Sequence, residues 1–87
     1  MRNLICRQKI ADFDEWKAVF DSHAAAQRSA GLEIDMIFRN TDDSSEVFML
    51  FRVTDAERAR EFVTSPDVPA AQEEAGVEEG TEVLFLA

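Results

Sequence analysis

The sequence predicts an α+β domain whose secondary structure elements follow the order βαββαβ. Apolar residues recur with a helical period of about 3.6 in residues 13–30. Residues 32–40 and Glu46–Val53 form two apolar runs of strand length, joined by the short polar segment 41–45, which indicates an antiparallel hairpin. A chain of 87 residues without an internal linker is expected to form one domain, residues 1–87.

The first half of the chain contains clear start and stop signals. The first strand is assigned to residues 2–10. Asp12 then follows as N-cap of the first helix, with Glu15 three residues later to complete a capping-box-like pair. Gly31 is expected to end this helix in the left-handed conformation. Regular alternation in the second strand, residues 32–40, predicts two faces: Leu32, Ile34, Met36 and Phe38 on one, and Glu33, Asp35, Ile37 and Arg39 on the other.

The second half repeats the helix–strand order. The second helix begins after Thr54 or Asp55 and is broken before Pro66. A short helix restarts near Asp67 and stops at Gly76. The acidic residues near its end are assigned to solvated surface. The remaining residues are assigned to a loop and to a final strand, residues 77–80 and residues 81–87.

This order predicts the ferredoxin-like arrangement, in which both helices cover one face of a four-stranded antiparallel sheet. The other face is then bare. Glu46–Val53 is apolar at nearly every position, and residues 83–86 are apolar on both faces. Since soluble monomers rarely expose so large an apolar patch, the sequence predicts a homodimer that packs two sheet faces together.

Composition narrows the function classes. The net charge of −9, from 18 acidic and nine basic side chains, disfavours nucleic acids and anionic membranes as partners. The sequence has no long apolar run, which argues against a signal peptide or a spanning helix. Cys6 is the only cysteine, so the chain has no internal disulfide, which suits a reducing cytoplasm. Together with the only histidine it forms no metal-ligand motif. We therefore expect no bound metal. The chain also lacks a glycine-rich nucleotide loop, so we expect no cofactor.

The main candidate for a functional residue is His23, the only histidine, which lies in the apolar stripe of the first helix. At about 100° per residue, His23, Trp16, Gln27 and Phe20 follow one another along one arc. Polar groups facing a core need a partner in protein, water or ligand. His23 is therefore either a satisfied core residue or a general base in a half-buried pocket, with Gln27 as its candidate orienter.

Four further side chains are candidate ligand contacts: Trp16, Phe20, Gln8 and Cys6. Trp16 either packs in the core or stacks on an aromatic ligand. Cys6 is either an inert buried thiol or a nucleophile. Gln8 either joins the hydrogen-bond network of the histidine or lies at the dimer interface. Arg39 and Arg52 either pair with carboxylates on the strands or hold an anionic ligand in the pocket.

The chain resembles the dimeric α/β-barrel family, which includes antibiotic-biosynthesis-monooxygenase-like and polyketide-cyclase-like small bacterial proteins. The resemblance covers nearly the whole chain. It rests on the element order and on four runs: DFDEWKAVFDSHA at 12–24, AGL at 30–32, FRN at 38–40 and ERAREF at 57–62. It implies a pocket between the sheet and the helices of each subunit, faced by His23, Gln27, Trp16 and Phe20. The chain has no tyrosine, which the family's cyclases and oxygenases often use, so no catalytic residue is carried over.

Three functions remain open at this point. The first is a small-molecule pocket protein that acts without a cofactor, as a monooxygenase or cyclase on an aromatic or polyketide-like substrate. The second is a module that binds a small hydrophobic ligand without chemistry. The third is a structural homodimer with a fully packed interior. Haem degradation is a variant of the first, because His23 could bind iron.

Overall fold

The computed structural model describes residues 2–87, apart from the side chains of residues 79–81. Within these residues the four strands form one antiparallel sheet in the order β2-β3-β1-β4. The predicted α+β, ferredoxin-like fold is confirmed. The elements are β1 (Asn3–Ile10), α1 (Phe13–Ser22), α2 (Ala24–Ser29), β2 (Leu32–Arg39), β3 (Glu46–Val53), α3 (Ala56–Val63), α4 (Asp67–Glu74) and β4 (Val77–Leu86).

The predicted helix over residues 13–30 is two helices, α1 and α2, and the prediction of one helix is wrong at His23. The backbone of His23 has φ −96° and ψ 6°, outside the helical range. The hydroxyl of Ser22 donates to the carbonyl oxygen of Val19 at 2.6 Å, a contact that opens the last turn of a helix. The Gln27 amide still donates to the His23 carbonyl at 2.9 Å. The apolar period therefore continues across the break, so the sequence pattern does not reveal that the helix is interrupted.

The predicted faces of the second strand are wrong beyond Ile34. The register of β2 against β3 shifts between Ile34 and Met36, which inserts one extra residue into β2. Met36 and Phe38 consequently lie on the open face of the sheet, where they are 52% and 50% exposed. Ile37 packs against the core instead. Alternation predicts faces only in a strand without a bulge.

The last strand starts earlier than predicted. β4 begins at Val77, so the predicted loop over residues 77–80 is wrong. Ile10 pairs with Val77, and the register against β1 shifts on either side of Lys9. β4 is an edge strand, where charged residues are tolerated and bulges are common. An acidic segment therefore resembles a loop in sequence although its backbone is paired.

Local signals at the other element ends are confirmed. The Asp12 carboxylate accepts a hydrogen bond from the Glu15 amide at 2.9 Å, as the capping pattern predicted. Asp55, rather than Thr54, caps α3. Gly31 has φ 77°, the left-handed conformation expected at a helix end.

The core lies between the sheet and the helices. In β1 the even-numbered residues Leu4, Cys6, Gln8 and Ile10 are buried, because they face the helices. This places Cys6 and Gln8 in the interior layer and away from the open face. The largest fully buried side chains are Trp16, Leu4, Ile10, Leu32 and Val47.

The open face of the sheet is apolar in part and bordered by ion pairs. Leu84 and Leu86 of β4, 56% and 40% exposed, share this face with Met36 and Phe38. The ion pairs on or beside it include Arg7–Glu82 at 2.6 Å, Lys9–Asp43 at 3.0 Å and Arg52–Glu33. Among residues 2–87, no helix has the length and apolar character needed to cross a membrane.

Candidate ligand cavity

A cavity of about 400 Å³ lies between the sheet and the helical layer. This volume is within the range of about 300–1,000 Å³ that is typical of small-molecule sites. All six residues that the sequence selected as site candidates line it: Cys6, Gln8, Trp16, Phe20, His23 and Gln27. The sheet supplies the first two and the helical segment 13–30 supplies the others, so the fold brings together residues that are up to 21 positions apart.

His23 lines the cavity from the junction of α1 and α2. Its Nε2 atom is buried, and no described residue offers it a hydrogen-bond partner. Its backbone is fully engaged, because its amide donates to the Phe20 carbonyl at 3.1 Å and its carbonyl accepts from the Gln27 amide. A buried polar atom without a partner costs about 1–3 kcal/mol, so a hydrogen bond from a ligand to this nitrogen would stabilise the site.

Gln27 is 8% exposed and also lines the cavity. Within the described part of the chain, its side-chain amide makes no hydrogen bond, including none to the imidazole of His23. The two residues are connected through the backbone alone. The role of Gln27 as an orienter of His23 therefore stays a prediction, which requires a side-chain contact that this structure does not form.

An aromatic wall borders the cavity. The rings of Trp16 and Phe20 stack with centroids 4.9 Å apart and an interplanar angle of 24°, and Phe13 lies on the other side of Trp16 at 5.7 Å. The Trp16 Nε1 donates a hydrogen bond to Gln8 Oε1 at 3.1 Å. Gln8 is therefore hydrogen-bonded to Trp16. This differs from both predictions, which placed Gln8 in the hydrogen-bond network of His23 or at the dimer interface. The bond joins a strand to a helix, and no local pattern in sequence signals it.

Cys6 lines the same cavity as a buried thiol. Burial raises the pKa of this thiol from 9.0 to about 12. Since the thiolate is the nucleophilic form, Cys6 is unreactive at neutral pH. The structure supports the interpretation of Cys6 as an inert wall residue.

The two candidate arginines lie outside the cavity lining. Arg52 forms an ion pair with Glu33, as the strand-pairing alternative predicted. The Arg39 guanidinium lies 4.4 Å from the centroid of the Phe13 ring and donates to the Ser44 carbonyl at 3.1 Å. Neither arginine is therefore placed to hold an anionic ligand in this cavity.

Sequence analysis missed the contribution of α4. Asp67, Gln72 and Glu74 all line the cavity. The acidic end of this helix is exposed, as predicted, so Glu74 borders the cavity from the surface. The missed signal is the small side chains of α4, such as Ala70 and Ala71, which leave space between this helix and the sheet. Among the side chains that the structure describes, no group of three or more His, Cys, Asp or Glu residues is arranged to hold a metal ion.

Comparison with known proteins finds solved structures of similar fold, whereas the sequence comparisons find no match. No protein-family model matches the sequence, and no curated protein matches it either. A candidate antibiotic biosynthesis monooxygenase from Caulobacter crescentus superposes with a TM-score of 0.71 at 14% identity, over 97% of this chain and 85% of that one. The cofactor-independent oxygenase SnoaB from Streptomyces nogalater, as a single-substitution variant, superposes at 0.67 with 18% identity, over 97% and 90%.

The chain has the antibiotic biosynthesis monooxygenase-like ferredoxin fold. A NIPSNAP domain protein from Burkholderia xenovorans is also similar, with a TM-score of 0.64 and 11% identity over 100% of this chain and 95% of that one. The antibiotic biosynthesis monooxygenase-like fold is thus shared by proteins with different names. At identities this low, the likeness establishes the fold, and the activity has to be argued from the cavity.

Proposed function

We propose that this protein binds a small aromatic, polyketide-like molecule in the cavity and oxygenates it without a cofactor, with His23 as general base. The observation that supports this most directly is the buried, unpartnered Nε2 of His23 in a cavity with a stacked aromatic wall. The likeness in fold to a cofactor-independent oxygenase adds support.

The chemistry needs only a base and dioxygen. Neutral imidazole at His23 Nε2 accepts the proton of a phenol, which leaves an electron-rich phenolate. The phenolate carbon para to oxygen is then oxidised by dioxygen: a C–H bond breaks, a C–O bond forms, and the second oxygen atom leaves as water. The overall change is phenol plus dioxygen to quinone plus water. The inner part of the cavity, where the His23 Nε2 atom is buried, is shielded from bulk solvent.

The same base could serve cyclisation. Removal of a proton from a carbon next to a carbonyl group gives an enolate, which adds to a second carbonyl carbon of the same molecule. A C–C bond forms, and the proton returns from the imidazolium to the alkoxide. This reaction consumes no oxygen, so oxygen uptake distinguishes the two.

Two copies are proposed to pack through the open face of the sheet. Four large apolar side chains on that face are at least 40% exposed, and ion pairs border them. An apolar centre with a polar rim is the usual anatomy of a stable interface. Both cavities would remain on the outer, helix-covered sides of such a dimer.

Ligand binding without chemistry is a second candidate, favoured by one observation. The amide of Gln27 does not contact the imidazole of His23 in this structure, so the proposed base lacks an orienting hydrogen bond. In known acid–base sites the imidazole is usually oriented by such a contact. A wild-type protein that binds its ligand and consumes no oxygen would favour this candidate.

The proposal is tested by His23→Gln, which removes the base but keeps a polar side chain. Binding of 1-naphthol is measured by calorimetry, and turnover by oxygen uptake and quinone absorbance. We expect binding to persist and oxygen uptake to fall by about 10²- to 10⁴-fold. Arg28→Gln, on the exposed surface of α2, is the control and should retain turnover. Equal oxygen uptake by His23→Gln and wild type would contradict the proposed role of His23.

A further inference from the structure

The cavity has a one-sided charge. In the part of the chain that the structure describes, its lining contains two carboxylates, Asp67 and Glu74, and no lysine or arginine. The two carboxylates lie at opposite ends of α4, the helix that covers the cavity. The fixed charge that a bound molecule meets is therefore negative at both ends of this helix.

Glu74 is placed against the usual rule for helix ends. The last turn of α4 contains no basic residue, and the free carbonyl groups there already carry partial negative charge. A carboxylate at this position destabilises the helix slightly. Residues that break a local rule are frequently functional. A cation bound beside Glu74 would be stabilised by the carboxylate and by the helix end together.

Asp67 makes the start of α4 negative as well. The N-terminal end of a helix attracts anions through its free amide groups. Asp67 is the acidic residue of this first turn, and it lines the cavity. Its full negative charge exceeds the partial positive charge of the helix end, of about half a unit. An anionic ligand therefore gains no attractive site at this end either.

Gln27 is an independent indication that a polar group of a ligand belongs in the cavity. It is 92% buried, lines the cavity and has no side-chain partner among the described residues. Its amide oxygen accepts hydrogen bonds, as does neutral imidazole at His23. The stacked faces of Trp16 and Phe20 additionally favour a cation near the rings. The buried part of the site thus offers hydrogen-bond acceptors and π faces, besides the N–H donors of the Gln27 amide.

Three cations on or beside the helical layer are engaged outside the cavity. Arg60 lies 4.9 Å from the centroid of the Phe85 ring, and Arg39 lies against Phe13. Lys17 forms an ion pair with Asp21 at 2.7 Å. None of these three cations lines the cavity. A ligand carboxylate would therefore enter without a positive partner.

We infer that the cavity selects aromatic molecules that bear a protonated amine, with Glu74 and Asp67 as specificity-determining residues, and that it discriminates against aromatic carboxylates. This inference rests on the proposed function, since it names the substrate class of the same cavity. The amine is held towards the carboxylates of α4, and the aromatic body packs against the wall formed by Trp16 and Phe20.

Three probes of matched size test the charge preference: 1-naphthylmethylamine, 1-naphthalenemethanol and 1-naphthoate, each titrated by calorimetry at pH 7. We expect the amine to bind tightest and the carboxylate weakest. Glu74→Gln should weaken amine binding by about two- to fivefold and strengthen naphthoate binding similarly, the effect of one solvent-accessible charge. Asp67→Asn should act in the same direction.

Glu73→Gln is the matched control. Glu73 is the exposed neighbour of Glu74 on the same helix and lies outside the cavity lining. Its replacement changes the net charge by the same amount, so it should shift neither affinity. An equal shift in Glu73→Gln would attribute the selectivity to the general charge of −9 and overturn the role of Glu74.

A cavity-filling variant confirms where the probes bind. Ala71 lines the cavity, so Ala71→Trp should abolish binding of the amine. Binding that survives this substitution would place the amine on the surface and overturn the inference. Equal affinity for all three probes would overturn the charge selectivity but leave the ligand cavity intact. Failure of all three probes to bind would overturn the proposed function together with the inference.

Discussion

The indole nitrogen of Trp16 donates a hydrogen bond to the side-chain oxygen of Gln8 across the gap between α1 and β1, at 3.1 Å. Both side chains are at most 8% exposed, so the bond is shielded from bulk solvent. The bond determines which edge of the indole points to the sheet and holds its ring against Phe20. A polar residue in a central strand thereby stabilises the aromatic wall of the cavity.

Gln8→Leu should destabilise the protein by about 1–3 kcal/mol, because it leaves the buried Trp16 N–H without a partner. Trp16→Phe removes the donor, so the double variant isolates the coupling between the two side chains. The free energy of unfolding is measured by urea denaturation for all four proteins. If the two effects add within about 0.5 kcal/mol, the hydrogen bond contributes no coupling.

The sequence predicted those features that have local causes. Asp12 with Glu15 and Gly31 mark the ends of the first helical segment through side-chain capping and a positive φ, and both are found. The helical stripe placed His23 and Gln27 towards the sheet, and both line the cavity. These predictions succeed because each depends on residues within one or two turns of each other.

The features that the sequence did not predict depend on distant contacts. The bulge after Ile34 reverses the faces of β2, and nothing in the alternation of the strand shows where it occurs. The bond from Trp16 to Gln8 requires the fold to exist first. Glu74 lines the cavity only because α4 crosses the sheet at that place. Tertiary packing determines all three.

Cys6 should make the stability of the protein fall at alkaline pH. Burial raises its pKa to about 12 in the folded state, against 9.0 as its ordinary value. A raised pKa means that the unfolded state releases the proton first, so the stabilisation is fully present below pH 9 and is lost between about pH 9 and 12. The loss is about 1.4 kcal/mol per pH unit within this window.

The measurement compares the free energy of unfolding of wild type and Cys6→Ala from pH 8 to 10.5. Other groups titrate in both proteins, so the difference between the two curves reports Cys6. The curves should converge as the pH rises, since only the wild type has the thiol. Parallel curves would show that the thiol titrates normally. Iodoacetamide should also react slowly with the folded protein at pH 8 and rapidly after unfolding.

Gly31→Ala should destabilise the protein more than Gly76→Ala. Both glycines have positive φ, 77° and 75°, so both variants incur about 1–2 kcal/mol for the left-handed conformation. A Cβ atom at Gly31 would lie 2.7 Å from the carbonyl oxygen of Asp55, whereas at Gly76 the nearest atom is 3.9 Å away. The difference in urea midpoints therefore isolates the close approach of the two helix ends. Equal destabilisation would contradict that packing.

Phe38→Glu and Leu84→Glu should each convert the proposed dimer to a monomer. Phe38 lies on β2 and Leu84 on β4, at the two edges of the open face, and they are 50% and 56% exposed in the single chain. A stable interface buries about 1,200–2,000 Å², which requires most of that face. A carboxylate placed at either edge would then be buried without a partner, at a cost that exceeds the gain from the surrounding apolar contact.

Light scattering coupled to size-exclusion chromatography, from 1 to 100 μM protein, reports the mass directly. Ala25→Glu adds the same charge to an exposed position of α2, on the helical side of the sheet, and should remain dimeric. Circular dichroism shows whether the monomeric variants keep their fold. A wild type that is monomeric throughout this range would contradict the proposed dimer. The apolar side chains of the open face would then be exposed to solvent. A dimer that Phe38→Glu leaves intact, but that a substitution on the helical side disrupts, would place the interface on the helices and make the cavity part of it.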